Sequence, residues 1–321
     1  MFERTVSVII PCYNAAPWIT ATIQSALDQP VAELEVIVVD DGSTDGSGDL
    51  VAQQFPQVRL VRTPNGGASR ARNLGTSLAQ GAFIQYLDAD DLLAPGKLAA
   101  QLAALIQSGA EVAYGAWQRL RLGLDGNYQP AERIERTLSG DPAIRLFTDF
   151  WCPPAAYLFR RSIVERIGGW NERLPIIQDA RFALDAALHG ACFVATPGVM
   201  AYYRVHSSGS VSSGSQAAFY RDVYTNATEV EQVWLARGGL SAAQRAALLQ
   251  VYGGVAYMGF DCDDGLFKAG YAAVQRLNHG QAPAHLRRLA VAHTIFGSQR
   301  VKQVVGQVRT MLAVGRTLVS R

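Results

Sequence analysis

Apolar positions over roughly the first 115 residues fall into short runs separated by stretches of helical spacing. Val6–Ile10, Leu34–Val39, Val58–Val61 and Ala82–Leu87 are the short runs, of a length that suits strands. Between them Ile19, Ile23, Ala26 and Leu27 recur at helical spacing, Leu50, Val51 and Phe55 follow the second run, and Leu74 and Leu78 lie within Ser69–Ala79. Leu98, Leu102, Leu105 and Ile106 mark an amphipathic helix with Pro95 near its start. Strands alternating with helices predict βαβ units and a parallel sheet covered on both faces. Right-handed crossovers then bring the C-terminal ends of the strands to one edge.

Beyond this segment the pattern weakens. Trp117 to Asp149 is polar and reads as a loop or excursion, Ala155–Phe159 as a strand and Asp179–His189 as a helix. Ala191–Ala195 and Met200–Arg204 read as two short strands. After Ser215 the chain reads as helical to its end, with breaks expected at Gly238-Gly239, Gly253-Gly254 and Gly280.

Composition narrows the class. With 49% apolar and 17% charged residues over 321 positions, the chain is of globular composition, not disordered. The cysteines Cys12, Cys152, Cys192 and Cys262 form no C-x-x-C pair, so neither a zinc ribbon nor a disulfide framework is indicated, and a reducing cytoplasm is the expected compartment. Val6–Ile10 is too short for a signal core, and no stretch reaches the ~20 apolar residues of a membrane span. The net charge of +2 hides an asymmetry: Gly265–Arg321 holds nine Lys/Arg and no acid, leaving a net of −7 on what precedes it. Such a tail points to an anionic partner.

Candidate chemistry concentrates at the strand ends. Pro11-Cys12-Tyr13-Asn14, Asp40-Asp41-Gly42-Ser43 and Asp88-Ala89-Asp90-Asp91 each follow a predicted strand, where open α/β sheets bind ligands. No G-x-G-x-x-G, P-loop, H-E-x-x-H or nucleophile-elbow context is present. Asp88 and Asp90, two apart in a turn, suit a hard divalent cation, Mg²⁺ or Mn²⁺, that completes its shell with water and phosphate oxygens. On spacing alone, an Asp-rich turn capping the next helix is an equal reading.

Four linked motifs carry a resemblance: Ser7-Val8-Ile9-Ile10-Pro11-Cys12-Tyr13-Asn14, Val39-Asp40-Asp41-Gly42-Ser43-Thr44-Asp45, Gly66-Gly67-Ala68-Ser69-Arg70-Ala71-Arg72-Asn73 and Tyr86-Leu87-Asp88-Ala89-Asp90-Asp91. They resemble the family 2 glycosyltransferases of GT-A fold. A weaker match continues through Gly168-Gly169-Trp170-Asn171-Glu172, Gln178-Asp179-Ala180-Arg181-Phe182 and Tyr203-Arg204-Val205-His206. The resemblance implies an α/β fold, Rossmann-like with a mostly parallel sheet and helices on both faces, over 1–214, with a helical extension over 215–321. Residues 1–115 form its nucleotide-sugar half and 116–214 its acceptor half. By resemblance, Pro11 and Tyr13 line the base pocket, Asp41 accepts from the base, Arg72 holds the nucleotide and Asp88 faces the ribose. Asp90 and His206 hold the metal on the diphosphate, and Asp179 is the general base of an inverting displacement, its pKa raised by partial burial and a neighbouring anion. Gln178 departs from the commoner Glu before this Asp, which leaves acceptor geometry in doubt.

The implied donor is a UDP- or dTDP-sugar and the acceptor a glycan or lipid-linked saccharide. Trp151 and Trp170 are candidates for acceptor contact, with core packing as the alternative for each. Val301, Val304, Val305, Val308, Met311, Leu312, Leu318 and Val319 share a helical stripe, with Lys302, Arg309 and Arg316 off it. A basic amphipathic helix of this kind can lie on the inner face of a membrane or pack on the protein or on a second copy in a homo-oligomer. Nucleic acid is not expected, because the tail's bases are not interleaved with aromatic residues. Two rival functions are a sugar-nucleotide-binding protein without turnover and a nucleotidyltransferase.

Overall fold

The computed structural model describes residues 5–206 and 215–291. The chain divides into two compact units, Met1–Ser210 and Val211–Arg321. In the first, β1 (Val6–Cys12), α1 (Ile19–Leu27), β2 (Leu34–Asp40), α2 (Ser47–Gln54), β3 (Arg59–Arg62), α3 (Ala68–Leu78) and β4 (Phe83–Tyr86) follow the expected alternation. Every residue of β1 is buried, as is the stretch Val36–Asp40 of β2, the continuous apolar pattern of strands covered on both faces.

β5 (Leu92–Leu93), α4 (Lys97–Ser108), β6 (Val112–Leu122), β7 (Tyr128–Ile134), α5 (Pro142–Thr148), β8 (Tyr157–Arg160), α6 (Arg161–Ile167), α7 (Gln178–Leu188) and β9 (Phe193–Val205) complete the unit. The sheet order is β3-β2-β1-β4-β8-β6-β9-β5, with β7 on β6. It is parallel from β3 to β4 and mixed beyond, where β8 runs antiparallel to β4 and β6 while β9 runs parallel to β6. From β1 the chain winds first outward to β2 and β3, then back to β4 on the other side. That reversal opens a crevice at the C-terminal ends of β1 and β4, the topological switch point of an open sheet.

Three expectations are corrected. The segment Trp117–Asp149 is not a loop: most of it is the β6–β7 hairpin and α5, whose N-cap Asp141 accepts from Ala143 N–H at 2.8 Å. The two short strands after Ala191 are one strand, β9, whose register on β6 shifts around Gly115–Trp117 and so absorbs Pro197-Gly198. The third concerns the second unit, built of α8 (Gln216–Ala236), α9 (Ala242–Cys262) and α10 (Asp264–Leu277): α9 runs unbroken through Gly253-Gly254. Breaks do fall at Gly238-Gly239 and Gly280, all with positive φ.

Glu231 joins α8, α9 and α10: Arg276 donates to both its oxygens at 2.6 and 2.8 Å, and the Tyr252 hydroxyl donates at 2.8 Å. Cys12, Cys152 and Cys192 form no disulfide. No helix among the described residues is long and apolar enough to cross a membrane. The basic stripe from Val301 to Val319 lies outside the described residues.

Candidate active site

The strand-end loops are locked by their own polar side chains. Asn14, directly after β1, sits in the left-handed region at φ 49°, a conformation Asn tolerates, and its amide oxygen accepts from Thr44 N–H at 2.8 Å. The turn it makes leaves Tyr13 54% exposed at the mouth of the crevice, while Pro11 is buried within β1. Asp41 is only 3% exposed: its oxygens accept from the Gly66 and Gly67 N–H groups at 2.9 and 2.8 Å, fastening the loop before α3. A carboxylate offers about four lone-pair sites, so acceptor capacity remains beside these two bonds.

α3 carries Arg72 and lies close on β1: a Cβ on Gly75 would stand 2.4 Å from Ile9 Cγ2, so glycine permits the approach. Arg72 is 4% exposed and ion-paired with Asp88. Its Nη1 also donates to Gln178 Oε1 at 3.0 Å, and Ser69 Oγ donates to the same oxygen at 2.6 Å. Trp170 stacks flat on Phe182 at 4.3 Å, and the guanidinium of Arg72 lies 4.2 Å from its ring centre. Trp170 is 4% exposed and supports Arg72, as its core-packing alternative expects.

The acidic turn after β4 is clamped from two sides. Thr22 of α1 donates to the carbonyls of Ala89 and Asp91, each at 2.9 Å. From the end of β9, Arg204 donates its N–H to Asp91 Oδ1 at 3.0 Å and a guanidinium N–H to the Asp90 carbonyl at 2.6 Å. Burial first, then the charges of Asp90 and Asp88, push the Asp91 carboxyl well above the ordinary range. This turn points Asp90 Oδ2 at His206 Nε2, 2.8 Å away. His206 Nδ1 meets the Tyr128 hydroxyl at 3.0 Å, and its ring packs on Trp18 at 4.5 Å.

Among the described residues no group of three or more His, Cys, Asp or Glu could hold a metal by itself. The Asp90–His206 pair offers one carboxylate oxygen and one imidazole nitrogen converging on one point. Such a pair fits a Mg²⁺ or Mn²⁺ ion only when phosphate oxygens and water supply the remaining shell.

Asp179 begins α7. Its Oδ2 accepts from Trp151 Nε1–H at 2.7 Å and its Oδ1 from Ala180 N–H at 2.8 Å. Burial raises its pKa; the Trp151 and Ala180 bonds oppose, the Asp88 charge adds to the rise, and Arg72 opposes. The carboxylate thus feels the charges of the Arg72–Asp88 pair.

The structure brings Arg72, Asp88 and Gln178 into one bonded group whose charges reach Asp179, and pairs Asp90 with His206. Trp18, Tyr128, Ser69 and the clamp made by Thr22 and Arg204 were not foreseen as members of the site. Tyr128 gives no signal in sequence because it lies in the polar hairpin, whereas Arg204 stands inside the Tyr-Arg-Val-His segment.

Comparison with known proteins decides the family. The model described as Glycosyl transferase family 2 matches residues 7–168, half of the chain. The chain belongs to glycosyl transferase family 2. An uncharacterized glycosyltransferase of Nostoc sp. is 30% identical over 234 residues, covering 69% of this chain and 71% of that protein. A chondroitin synthase of Pasteurella multocida is 43% identical over 93 residues, 28% of this chain and 10% of the synthase. The family 2 chain spans 10% to 46% of the length of several such curated relatives. S. aureus TarS 1-349, in complex with UDP-GlcNAc, superposes with a TM-score of 0.66 at 21% identity, covering 94% of this chain and 92% of that one. That likeness is one of fold. This family 2 chain accordingly combines a GT-A-like mixed α/β sheet with a helical C-terminal region.

Proposed function

We propose that this glycosyltransferase moves a sugar from a UDP- or dTDP-sugar to a hydroxyl of a glycan or lipid-linked saccharide, with inversion at the anomeric carbon. The observation that carries the reading is Asp179, a carboxylate of raised pKa held by Trp151 and reached by the charges of the Arg72–Asp88 pair. A carboxylate base close to groups that bind the leaving diphosphate is what an in-line displacement requires.

In this reading Tyr13 stacks on the base, with Pro11 at its back and Asp41 accepting from a base N–H. Asp88 faces the ribose, and Arg72, steered by Gln178 and Ser69, approaches the diphosphate. The acceptor oxygen attacks the anomeric carbon as Asp179 takes its proton, and the bond from that carbon to the diphosphate oxygen breaks. Negative charge then grows on the diphosphate, where Arg72 lies. Asp90 and His206 would hold the divalent cation, which when bound supplies Lewis-acid stabilisation of that charge.

Calorimetric titration with UDP, dTDP and GDP, with and without Mn²⁺, tests the reading on the wild type and on Asp90→Ala. The expected result is Mn²⁺-dependent binding of UDP or dTDP that weakens in the variant. Binding indifferent to metal removes Asp90 from its role. A folded protein that binds no nucleotide overturns the reading as a whole.

A further inference from the structure

Beside Asp179 three aromatic rings meet edge to face. Trp117 of β6 and Trp151 stand 5.3 Å apart between ring centres, Trp117 and Tyr203 of β9 5.6 Å, and Trp151 and Tyr203 5.9 Å. β6 and β9 run in register, Trp117 beside Ala201 and Arg119 beside Tyr203, so Trp117 and Tyr203 share one face of the sheet. Trp117 is 2% exposed and forms the floor. Trp151 and Tyr203 are only partly covered. Trp151 cannot turn away without giving up its bond to Asp179. The Tyr203 hydroxyl, by contrast, has no hydrogen-bond partner among the described residues. Burial, then the charges of Asp91, Asp88, Asp90 and Asp179, push this phenol far above its ordinary value, so it stays neutral and keeps its proton to donate. Its ring meets Trp151, which holds the base, and the next residue, Arg204, clamps the acidic turn.

We propose that Trp151 and Tyr203 form the wall of an acceptor-sugar subsite, and that the Tyr203 hydroxyl bonds a hydroxyl of that sugar next to the one that attacks. The inference rests on the glycosyltransferase reading above and deepens it by naming what the base serves: a pyranose ring, presented by its C–H face. Aromatic rings supply large apolar contact at low entropic cost, and a phenol adds a directional polar handle. A neutral donor among carboxylates suits a sugar hydroxyl, which can accept from Tyr203 while it donates to an acid. An anionic lipid phosphate in the same place would meet the repulsion of Asp88, Asp90, Asp91 and Asp179.

The test uses the full chain with UDP and Mn²⁺ bound, and saturation-transfer NMR with methyl β-glucoside, methyl β-galactoside, methyl β-N-acetylglucosaminide and farnesyl phosphate as probes. Tyr203→Phe keeps the ring and loses the hydroxyl; Tyr203→Ala loses the wall. UDP affinity by calorimetry reports folding in each variant. At least one methyl glycoside is expected to receive saturation at its C–H protons. Tyr203→Phe should weaken its binding about tenfold, the scale of one hydrogen bond left unmade, and Tyr203→Ala should abolish the signal. Equal signals in wild type and Tyr203→Ala overturn the proposal, as does a Tyr203-dependent signal from farnesyl phosphate alone. Should UDP bind while no glycoside gives a Tyr203-dependent signal, only this inference fails; absence of UDP binding in the wild type fails the functional reading beneath it.

Discussion

Trp151→Phe isolates one bond of the site. The change keeps an aromatic ring against Trp117 and Tyr203 and removes the Nε1–H that reaches Asp179 Oδ2 at 2.7 Å. That donor interacts with the ionised carboxylate more strongly than with the neutral acid, so it pulls the Asp179 pKa down against the rise that burial imposes. A hydrogen bond to a charged group contributes about 1.5–3 kcal/mol. At about 1.4 kcal/mol per unit, its loss raises the pKa by about one to two units. A general base must be ionised to take a proton, so the acid limb of the kcat/KM profile for sugar transfer should move upward by that amount. Below the limb, transfer should fall about tenfold or more, while well above it the variant regains most of its rate. UDP affinity should not follow this profile. The reasoning is refuted if transfer drops equally at every pH with the limb in place, for then Trp151 only packs. A downward shift of the limb would refute it more directly.

Asp179→Asn should abolish sugar transfer and leave UDP affinity intact. In the wild type the raised folded pKa means that the stability this group contributes is present below about 3.8 and is lost as pH rises through the folded value. Lys97 is fully buried, donating to Gln85 and to the Tyr157 carbonyl at 2.7 Å, and burial holds its pKa well below 10.5. The folded state then binds fewer protons than the unfolded, so wild-type stability in urea should climb as pH rises toward 10.5, by up to about 1.4 kcal/mol per unit, and Lys97→Met should flatten the slope. Gly259→Ala places a Cβ 2.6 Å from Phe267 N and 2.9 Å from the Leu266 carbonyl carbon, which are backbone atoms that cannot swing aside. It should destabilise the α9–α10 packing by about 1–3 kcal/mol, read as an earlier urea transition in far-UV circular dichroism.

What could be read from sequence follows from which interactions are local. β1 and β2 announce themselves because strands buried on both faces need uninterrupted apolar runs, and the polar turns after them mark the sheet edge where the crevice opens. β7 was invisible for the opposite reason: none of Tyr128–Ile134 is fully buried, the run contains Pro130, and its pairing with β6 alone makes it a strand. Gly253-Gly254 misleads because helix propensity is a weak prior, about 1 kcal/mol per glycine. Burial of Leu248, Tyr252, Val255, Ala256 and Phe260 along α9 outweighs it. At the site, the residue types were legible but their bonds were not, since Trp151 with Asp179 and Tyr128 with His206 join segments that only the fold brings together. Gln178 shows the limit best. As a sequence position it is a missing charge; in the fold its amide oxygen accepts from Ser69 and Arg72 at once, a task that needs an acceptor and not an anion. Arg72 already has its counter-charge in Asp88. A second carboxylate at 178 would add repulsion toward Asp88 and Asp179 and raise the base's pKa further, so the amide keeps Arg72 in position while sparing the base that additional rise.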